Sequence, residues 1–189
     1  PSRNGCGIRP PGGEVDGELV PIFTKGEIAP LWDRGACGYD TTIGGDYCED
    51  GATDNLITWS VTDSGDPDVG AALNVQFGTN GADGVFFWAT STGVDLSDFA
   101  ANGKLIFDLR IPEATAAAGM VFKVDCFYPC GTGDQPIDLS DYEPGTWATF
   151  EYDVSFLIGK GLDVTNVNAG IVLFPSWGNQ QGLSFDVAN

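Results

Sequence analysis

Alternation of apolar and polar side chains is clearest in Lys104-Leu105-Ile106-Phe107-Asp108-Leu109-Arg110-Ile111. Every odd-numbered position in this stretch is Leu, Phe or Ile, and three of its four even-numbered positions are charged. Side chains of a β-strand alternate between its two faces with this period of two. The stretch therefore predicts a strand that turns one face towards a hydrophobic core.

Similar short runs of β-branched and aromatic residues recur along the chain, separated by Gly, Asp, Asn and Pro. Together they predict nine strands, at residues 19–24, 56–62, 71–77, 84–90, 104–111, 120–128, 146–154, 169–174 and 183–187. An Ala-rich segment, residues 114–118, predicts a loop or a single helical turn. Many strands, turn-rich links and no helical periodicity predict an all-β chain, folded as an antiparallel β-sandwich of the jelly-roll type.

The opening of the chain has a different composition, dense in Gly and Pro and without apolar periodicity. This composition is typical of a linker. We therefore expect a linker or tail over residues 1–17 and a single sandwich domain over residues 18–189, which is long enough to bury a substantial core. Because the chain begins with Pro1 rather than Met, we expect it to be part of a longer protein.

The charge of the chain is strongly negative, with 27 Asp and Glu against 8 Lys and Arg and a net charge of −19. Such a surface repels phosphate, which excludes nucleic acids and anionic membranes as partners. The sequence also contains no His. Ser-His-Asp catalysis, Cys-His catalysis and zinc binding through His are therefore excluded.

Five cysteines allow two disulfides and leave one thiol over. Cys37 and Cys48 flank a Gly- and Asp-rich segment, whereas Cys126 and Cys130 enclose Phe-Tyr-Pro, where a turn would bring the two sulfurs together. We predict these two pairs, with Cys6 unpaired in the tail. The alternative is five free thiols in a cytosolic protein. We favour disulfides, which persist in an oxidising extracellular setting.

The many carboxylates suggest glycosidase catalysis as one hypothesis. Asp125 with Asp153, or Glu143 with Glu151, would be examples of the acid pair that such enzymes use. Acid pairs are common in any chain this acidic, however, and most of its Asp residues occupy turn contexts. We therefore do not predict a catalytic domain.

Calcium binding is a second use for the acids, because the ion takes several carboxylate and carbonyl oxygens. In small sandwiches a structural ion often ties the first strand to the last, and the chain has Glu27 near its start and Asp186 near its end. We predict a structural calcium ion at these two residues. The alternative is that Asp186 is an exposed residue at a strand end.

Five tryptophans are many for a domain of this size, and they need not all be core residues. Trp59 and Trp147 lie within strand patterns and are predicted to be packed. Trp177 opens a loop rich in neutral amides, Trp-Gly-Asn-Gln-Gln-Gly. An aromatic ring stacks on the C–H face of a sugar while amides and carboxylates hydrogen-bond to its hydroxyls. This loop therefore predicts sugar binding.

A second polar loop, residues 133–136, has the same pairing of carboxylate and amide. The two loops together define the predicted carbohydrate-binding residues. These are Trp177, Gln180, Gln181, Asp134 and Gln135, with Trp32 and Trp88 lining the site.

Five segments together resemble a known module. They are residues 31–35 (Leu-Trp-Asp-Arg-Gly), 84–97, 103–110, 125–137 and 174–182 (Phe-Pro-Ser-Trp-Gly-Asn-Gln-Gln-Gly). The chain resembles the galactose-binding-like β-sandwich appended to marine bacterial polysaccharide hydrolases, among them family 3 exo-β-glucanases and family 16 laminarinase- or agarase-type enzymes. The resemblance covers about residues 20–187 and implies a carbohydrate-binding role.

We accordingly predict a monomeric, non-catalytic carbohydrate-binding module, covalently linked to the catalytic domain of a secreted glycan-degrading enzyme. A neutral polysaccharide is expected, because the chain is acidic and neither polar loop carries an Arg that could bind sulfate. The resemblance implies a β-1,3-glucan, laminarin, with an agar-type galactan as the alternative. Two other classes stay open: a protein-interaction or adhesion sandwich, and a glycosidase or lyase.

Overall fold

Two antiparallel β-sheets stack face to face in the computed structural model, which describes residues 6–9, 19–48, 56–79 and 83–188. The strands are β1 (Cys6–Arg9), β2 (Val20–Thr24), β3 (Glu27–Ile28), β4 (Gly35–Asp40), β5 (Gly45–Tyr47), β6 (Thr58–Asp63), β7 (Ala71–Gln76), β8 (Gly84–Val94), β9 (Lys104–Arg110), β10 (Met120–Cys126), β11 (Gln135–Pro136), β12 (Trp147–Asp153), β13 (Val167–Pro175) and β14 (Ser184–Ala188). Two short helices, α1 (Glu113–Ala118) and α2 (Val154–Gly159), follow β9 and β12. Neither helix in this described part of the chain is long and apolar enough to cross a membrane.

The larger sheet has the order β3-β2-β1-β9-β14-β7-β6, with β12 beside β9. Strand β12 pairs with β9 along the whole length of β9, so β1 and β14 share the opposite edge of that strand. The smaller sheet has the order β11-β10-β13-β8-β4-β5. In this sheet β8 lies between β13 and β4, with both of its edges hydrogen-bonded.

The predicted fold class is confirmed, and each of the nine predicted strands has a counterpart in the structure. The alternating stretch at residues 104–111 forms β9, in which Leu105, Phe107 and Leu109 are fully buried. Strands β3, β4, β5 and β11 were not predicted, because they are very short or, in β4, rich in Gly. Helix α1 is the Ala-rich segment for which a loop or single turn was predicted, and α2 was not predicted.

Part of the predicted linker belongs to the sandwich. Strand β1 lies within residues 1–17 and pairs with both β2 and β9, so this part of the linker prediction is wrong. Backbone pairing on both edges holds β1 in the sheet, although its Gly-rich surroundings give no strand periodicity. The predicted boundary near Gly17 lies outside the described residues.

Aromatic side chains fill the space between the two sheets. Trp88 and Phe86 of β8 meet edge to face at 4.9 Å, and Trp88 stacks on Phe23 of the larger sheet at 5.8 Å. Phe86 also contacts Phe185 of β14. All four rings are fully buried. Burial of such large apolar surfaces is the main free energy that holds the sheets together.

Both predicted disulfides are present, Cys37–Cys48 and Cys126–Cys130. The first joins β4 to the residue that follows β5, and the second closes a turn at the end of β10. The unpaired state of Cys6 stays a prediction.

One glycine is required by the packing of this core. A Cβ atom on Gly170 of β13 would lie 2.4 Å from Cη2 of Trp32 and 2.9 Å from Cδ1 of Ile22. Trp32 is buried and its indole N–H donates to the carbonyl of Pro21 at 3.0 Å, so the ring is held in place. Only a residue without a side chain leaves room for it.

We expect Gly170→Ala to lower the free energy of unfolding by about 1–3 kcal/mol, because the added methyl group overpacks the core. Denaturant unfolding followed by circular dichroism measures the loss. Gly159→Ala is the matched control, since a Cβ at Gly159 would meet nothing within 4 Å. Equal stability of the Gly170→Ala variant and the native protein would contradict the packing described here.

Candidate functional site

An open groove of about 630 Å³ lies on the face of the smaller sheet that points away from the core. Its floor comes from alternate residues of β8, Val85, Phe87 and Ala89, with Val172 of β13 opposite Phe87. The intervening residues of β8 point into the core. These floor residues are apolar and almost fully buried, with Phe87 the most exposed at 8%, so they form a narrow apolar strip at the bottom of the groove. Strand pairing on both sides of β8 fixes its position.

The two rims of the groove carry ion pairs. On the β10 rim the Lys123 ammonium lies 2.9 Å from the carboxylate of Asp125. On the opposite rim, next to Tyr39, the Arg34 guanidinium lies 3.4 Å from the carboxylate of Asp46. Each cation therefore has a carboxylate neighbour, and the rims offer polar hydrogen-bonding groups around an apolar floor.

Trp177 lines the groove with its side chain 44% exposed. One side of the ring packs on buried Phe174, with 4.9 Å between ring centroids. The indole N–H donates to Asp134 Oδ2 at 2.9 Å. This bond joins the two polar loops singled out in the sequence, and the two contacts together fix the orientation of a half-exposed ring.

The structure brings together Trp177 and Asp134 but gives the predicted amides different places. Gln135 is half-buried, and its amide N–H donates to the carbonyls of Thr132 and Gly133 within its own loop. Gln181 is exposed on the loop that follows Trp177. Their contact with a ligand stays a prediction.

Gln180 is wrongly placed among the predicted ligand-binding residues, because its side chain is fully buried. Its amide oxygen accepts the Gly84 N–H at 2.9 Å and its amide N–H donates to the Gly84 carbonyl at 2.7 Å. These two bonds tie the Trp177 loop to the first residue of β8. Gln180 is therefore a positioning residue for Trp177.

Trp32 and Trp88 are also corrections. Both rings are buried, at 1% and 0% exposure, and neither lines the groove. Trp32 packs on Gly170 and Trp88 on Phe23, both on the core side of the sheet. Trp88 lies within the predicted strand 84–90, and residue type alone did not distinguish the core face of that strand from its outer face.

Several groove residues were missed in the sequence, among them Arg34, Tyr39, Phe87, Lys123 and Asn168. The signal was present in β8, where Val-Phe-Phe-Trp-Ala is apolar at every position. A strand without polar alternation has both faces covered or lines a site. Asn168 adds a polar atom, since its amide oxygen is buried without a hydrogen-bond partner in the described part of the chain.

The acid pairs considered for catalysis do not come together as a glycosidase pair. Asp125 lies in the groove on β10, whereas Asp153 ends β12 in the other sheet. Glu151 of β12 is exposed and bound to Lys104 at 2.8 Å, while Glu143 is exposed in the loop before that strand. Asp125 itself is bound to Lys123 at 2.9 Å.

Asp186 of β14 makes contacts that bear on the predicted calcium ion. Its two oxygens accept hydrogen bonds from Asn74 at 2.7 Å and from Arg110 at 2.8 Å. Glu27 is exposed on β3. No group of three or more His, Cys, Asp or Glu that could hold a metal occurs within residues 6–9, 19–48, 56–79 and 83–188. Calcium binding at Glu27 and Asp186 stays a prediction.

Comparison with known proteins gives a family and a fold. The family model Exop_C, described as galactose-binding domain-like, matches residues 52–187. No curated protein matches the chain. Among solved structures, the extra C-terminal domain of an exo-1,3/1,4-β-glucanase from a Pseudoalteromonas species has a TM-score of 0.58 at 13% identity, over 89% of this chain and 88% of that domain.

Two further solved structures are similar. The whole exo-1,3/1,4-β-glucanase from the same organism has a TM-score of 0.56 at 15% identity, and the match covers 89% of this chain but 19% of that enzyme. A family 30 carbohydrate-binding module of a Clostridium thermocellum cellulosomal cellulase has a TM-score of 0.56 at 16% identity, over 89% and 92% of the two chains. At these identities the likeness shows a shared fold.

Asp33 precedes Arg34 in the chain, and its carboxylate is hydrogen-bonded to Ser91 of β8. One carboxylate oxygen accepts the Ser91 N–H at 2.7 Å, and the other accepts the Ser91 hydroxyl. These bonds to the ionised form, with the Ser91 hydroxyl as the largest contribution, lower the pKa of Asp33 from 3.8 to about 2.

We expect the hydrogen bonds between Asp33 and Ser91 to contribute fully to stability above about pH 3.9, the approximate pKa of Asp in the unfolded chain. Their contribution should be lost as the pH falls towards about 2 and Asp33 becomes protonated in the folded protein. Ser91→Ala removes the hydroxyl donor and should raise the pKa of Asp33 towards its usual value. A ¹³C NMR titration of the carboxyl carbon measures both. An Asp33 pKa near 3.9 in the native protein would contradict the prediction.

Proposed function

We propose that this chain, which belongs to the Exop_C family of galactose-binding domain-like proteins, binds a neutral β-glucan in the groove of its smaller sheet. The chain shares its fold with the extra C-terminal domain of an exo-1,3/1,4-β-glucanase and with a family 30 carbohydrate-binding module. The observation that carries the proposal is Trp177, a half-exposed ring held beside a narrow apolar floor.

The chemistry of the groove fits a sugar chain. A pyranose presents apolar C–H faces and a periphery of hydroxyls, so it needs an apolar surface beneath and hydrogen-bonding groups around it. Trp177, 44% exposed, supplies a ring for stacking, and Val85 and Phe87 supply a narrow apolar strip at the bottom of the groove beside it.

The charges around the groove favour a neutral glycan. The carboxylates of Asp46, Asp125 and Asp134 outnumber the cations of Arg34 and Lys123, and each cation already has a carboxylate partner. A sulfate or uronate would have to compete with these carboxylates within a chain of net charge −19. A neutral glycan does not need these cations, so its hydroxyls do not compete with the carboxylates.

The choice of β-glucan rests on the relatives. The two described enzymes to which the similar modules belong are an exo-1,3/1,4-β-glucanase and a cellulase. These names favour a β-glucan without choosing between 1,3 and 1,4 linkages. We propose a β-1,3-glucan such as laminarin on the family resemblance of the sequence, with agar-type galactan as the alternative that a binding experiment separates from it.

The proposed role is non-catalytic. A binding module linked to a catalytic domain keeps that domain close to a polysaccharide by raising its effective concentration. We propose such a linked enzyme, secreted into an oxidising environment in which both disulfides persist. The isolated chain should release no reducing sugar from the glycan that it binds.

We expect Trp177→Ala to weaken binding of laminarin oligosaccharides by about 2 kcal/mol, roughly 30-fold, because a stacked aromatic is a typical binding hot spot. Isothermal titration calorimetry measures the change. Val61→Ala is the matched control, since Val61 is an exposed apolar residue on β6 of the other sheet. Unchanged affinity of the Trp177→Ala variant, with an unchanged circular dichroism spectrum, would refute the role of this ring.

We further expect laminarin to bind with an affinity that changes little between low and high salt, because a neutral ligand gains nothing from the field of the protein. Affinity electrophoresis in gels with laminarin, agarose or carrageenan compares the three ligand classes. Retardation in the agarose gel alone would show that the ligand is a neutral galactan and not a glucan. Salt-sensitive retardation by carrageenan without any by laminarin would overturn the charge argument and the choice of ligand.

A further inference from the structure

Tyr128 is the most exposed of the large hydrophobic side chains in the described part of the chain, at 96%. It is the central residue of the loop between Cys126 and Cys130, and it lines the groove. Because the ring buries almost no surface, it contributes almost nothing to the stability of the fold. An aromatic residue in this position requires another explanation.

The loop that carries Tyr128 is held on several sides. The disulfide joins its two ends, and the backbone N–H of Asp163 lies 3.2 Å from the Cys126 sulfur and 3.3 Å from the Cys130 sulfur. Phe127 packs on Gly93, where a Cβ atom would lie 3.0 Å from the ring. The backbone of Tyr128 is thus fixed while its ring projects into solvent.

Tyr128 and Trp177 lie at opposite ends of the β10–β13 pair. Met120 pairs with Pro175 and Cys126 pairs with Val167, so Trp177 follows the first end and Tyr128 the second. The two ends of β10 lie six residue steps apart, about 20 Å at the usual rise of a strand.

The Trp177 indole reaches back from its end to Asp134. The neighbouring Gln135 pairs with Phe122, so the two rings are closer together than the strand ends. Both rings line the same groove, and the Lys123–Asp125 ion pair of β10 lies between the two ends of that strand.

We propose that Tyr128 is a second aromatic platform, which contacts only those glycan chains that are long enough to reach from the Trp177 end of the groove. This inference rests on the proposed function and deepens it, since it makes the site selective for chain length. Because the backbone of the loop is held, binding costs only the rotamer freedom of the Tyr128 side chain, which has two side-chain torsions, and not the ordering of a loop.

The test compares the binding of a short and a long oligosaccharide to the whole 189-residue chain. For laminarihexaose, measured by calorimetry, Tyr128→Ala should weaken binding about tenfold, as expected for loss of an aromatic contact. For laminaribiose, measured by NMR titration, the same substitution should change nothing. Tyr128→Phe keeps the ring and should retain the affinity for laminarihexaose. Trp177→Ala should weaken binding of both ligands.

The outcomes separate this inference from the function on which it rests. Wild-type affinity of Tyr128→Ala for laminarihexaose would overturn the second platform and leave the groove as the binding site. An equal loss for laminaribiose and laminarihexaose would overturn the chain-length selectivity. No binding of either oligosaccharide by the native chain would refute the proposed glucan ligand itself, and the platform with it.

Discussion

Strand β8 carries apolar side chains on both of its faces, and both the core and the groove depend on this. Phe86 and Trp88 point between the sheets and are fully buried. Val85, Phe87 and Ala89 point to the other side of the sheet and form the floor of the groove. The packing of Phe86 and Trp88 against the larger sheet fixes the height and twist of β8. The free energy that stabilises the fold therefore also shapes the surface that we propose for ligand binding.

The aromatic groups at the two ends of the groove depend on contacts with the same framework. Gln180 binds the backbone of Gly84 and so attaches the Trp177 loop to the beginning of β8. The disulfide-closed loop of Tyr128 follows β10 and packs near the far end of β8 through Gly93. Rigid strands thus hold the loops that carry both rings, which is the arrangement that preorganises a binding site.

Local periodicity was enough to predict most of the strands, because an alternating stretch such as residues 104–111 identifies a strand from its own residues alone. The site was predicted in part. The pairing of Trp177 with the 133–136 loop followed from residue type, but the burial of Trp32, Trp88 and Gln180 depends on contacts distant in the chain. The groove itself arises where β4, β8, β10 and β13 meet, and sequence spacing does not reveal that neighbourhood.

The central claim is that the glycan lies on the outer face of the smaller sheet. A titration of the ¹⁵N-labelled chain with laminarihexaose tests it most directly, because amide and indole shifts report the contacted face. The account predicts shifts of the Trp177 indole N–H and of amides in β8, β10 and β13, with the Trp147 indole on the larger sheet unchanged. Shifts confined to Trp147 and its neighbours Arg110 and Val69 would contradict it.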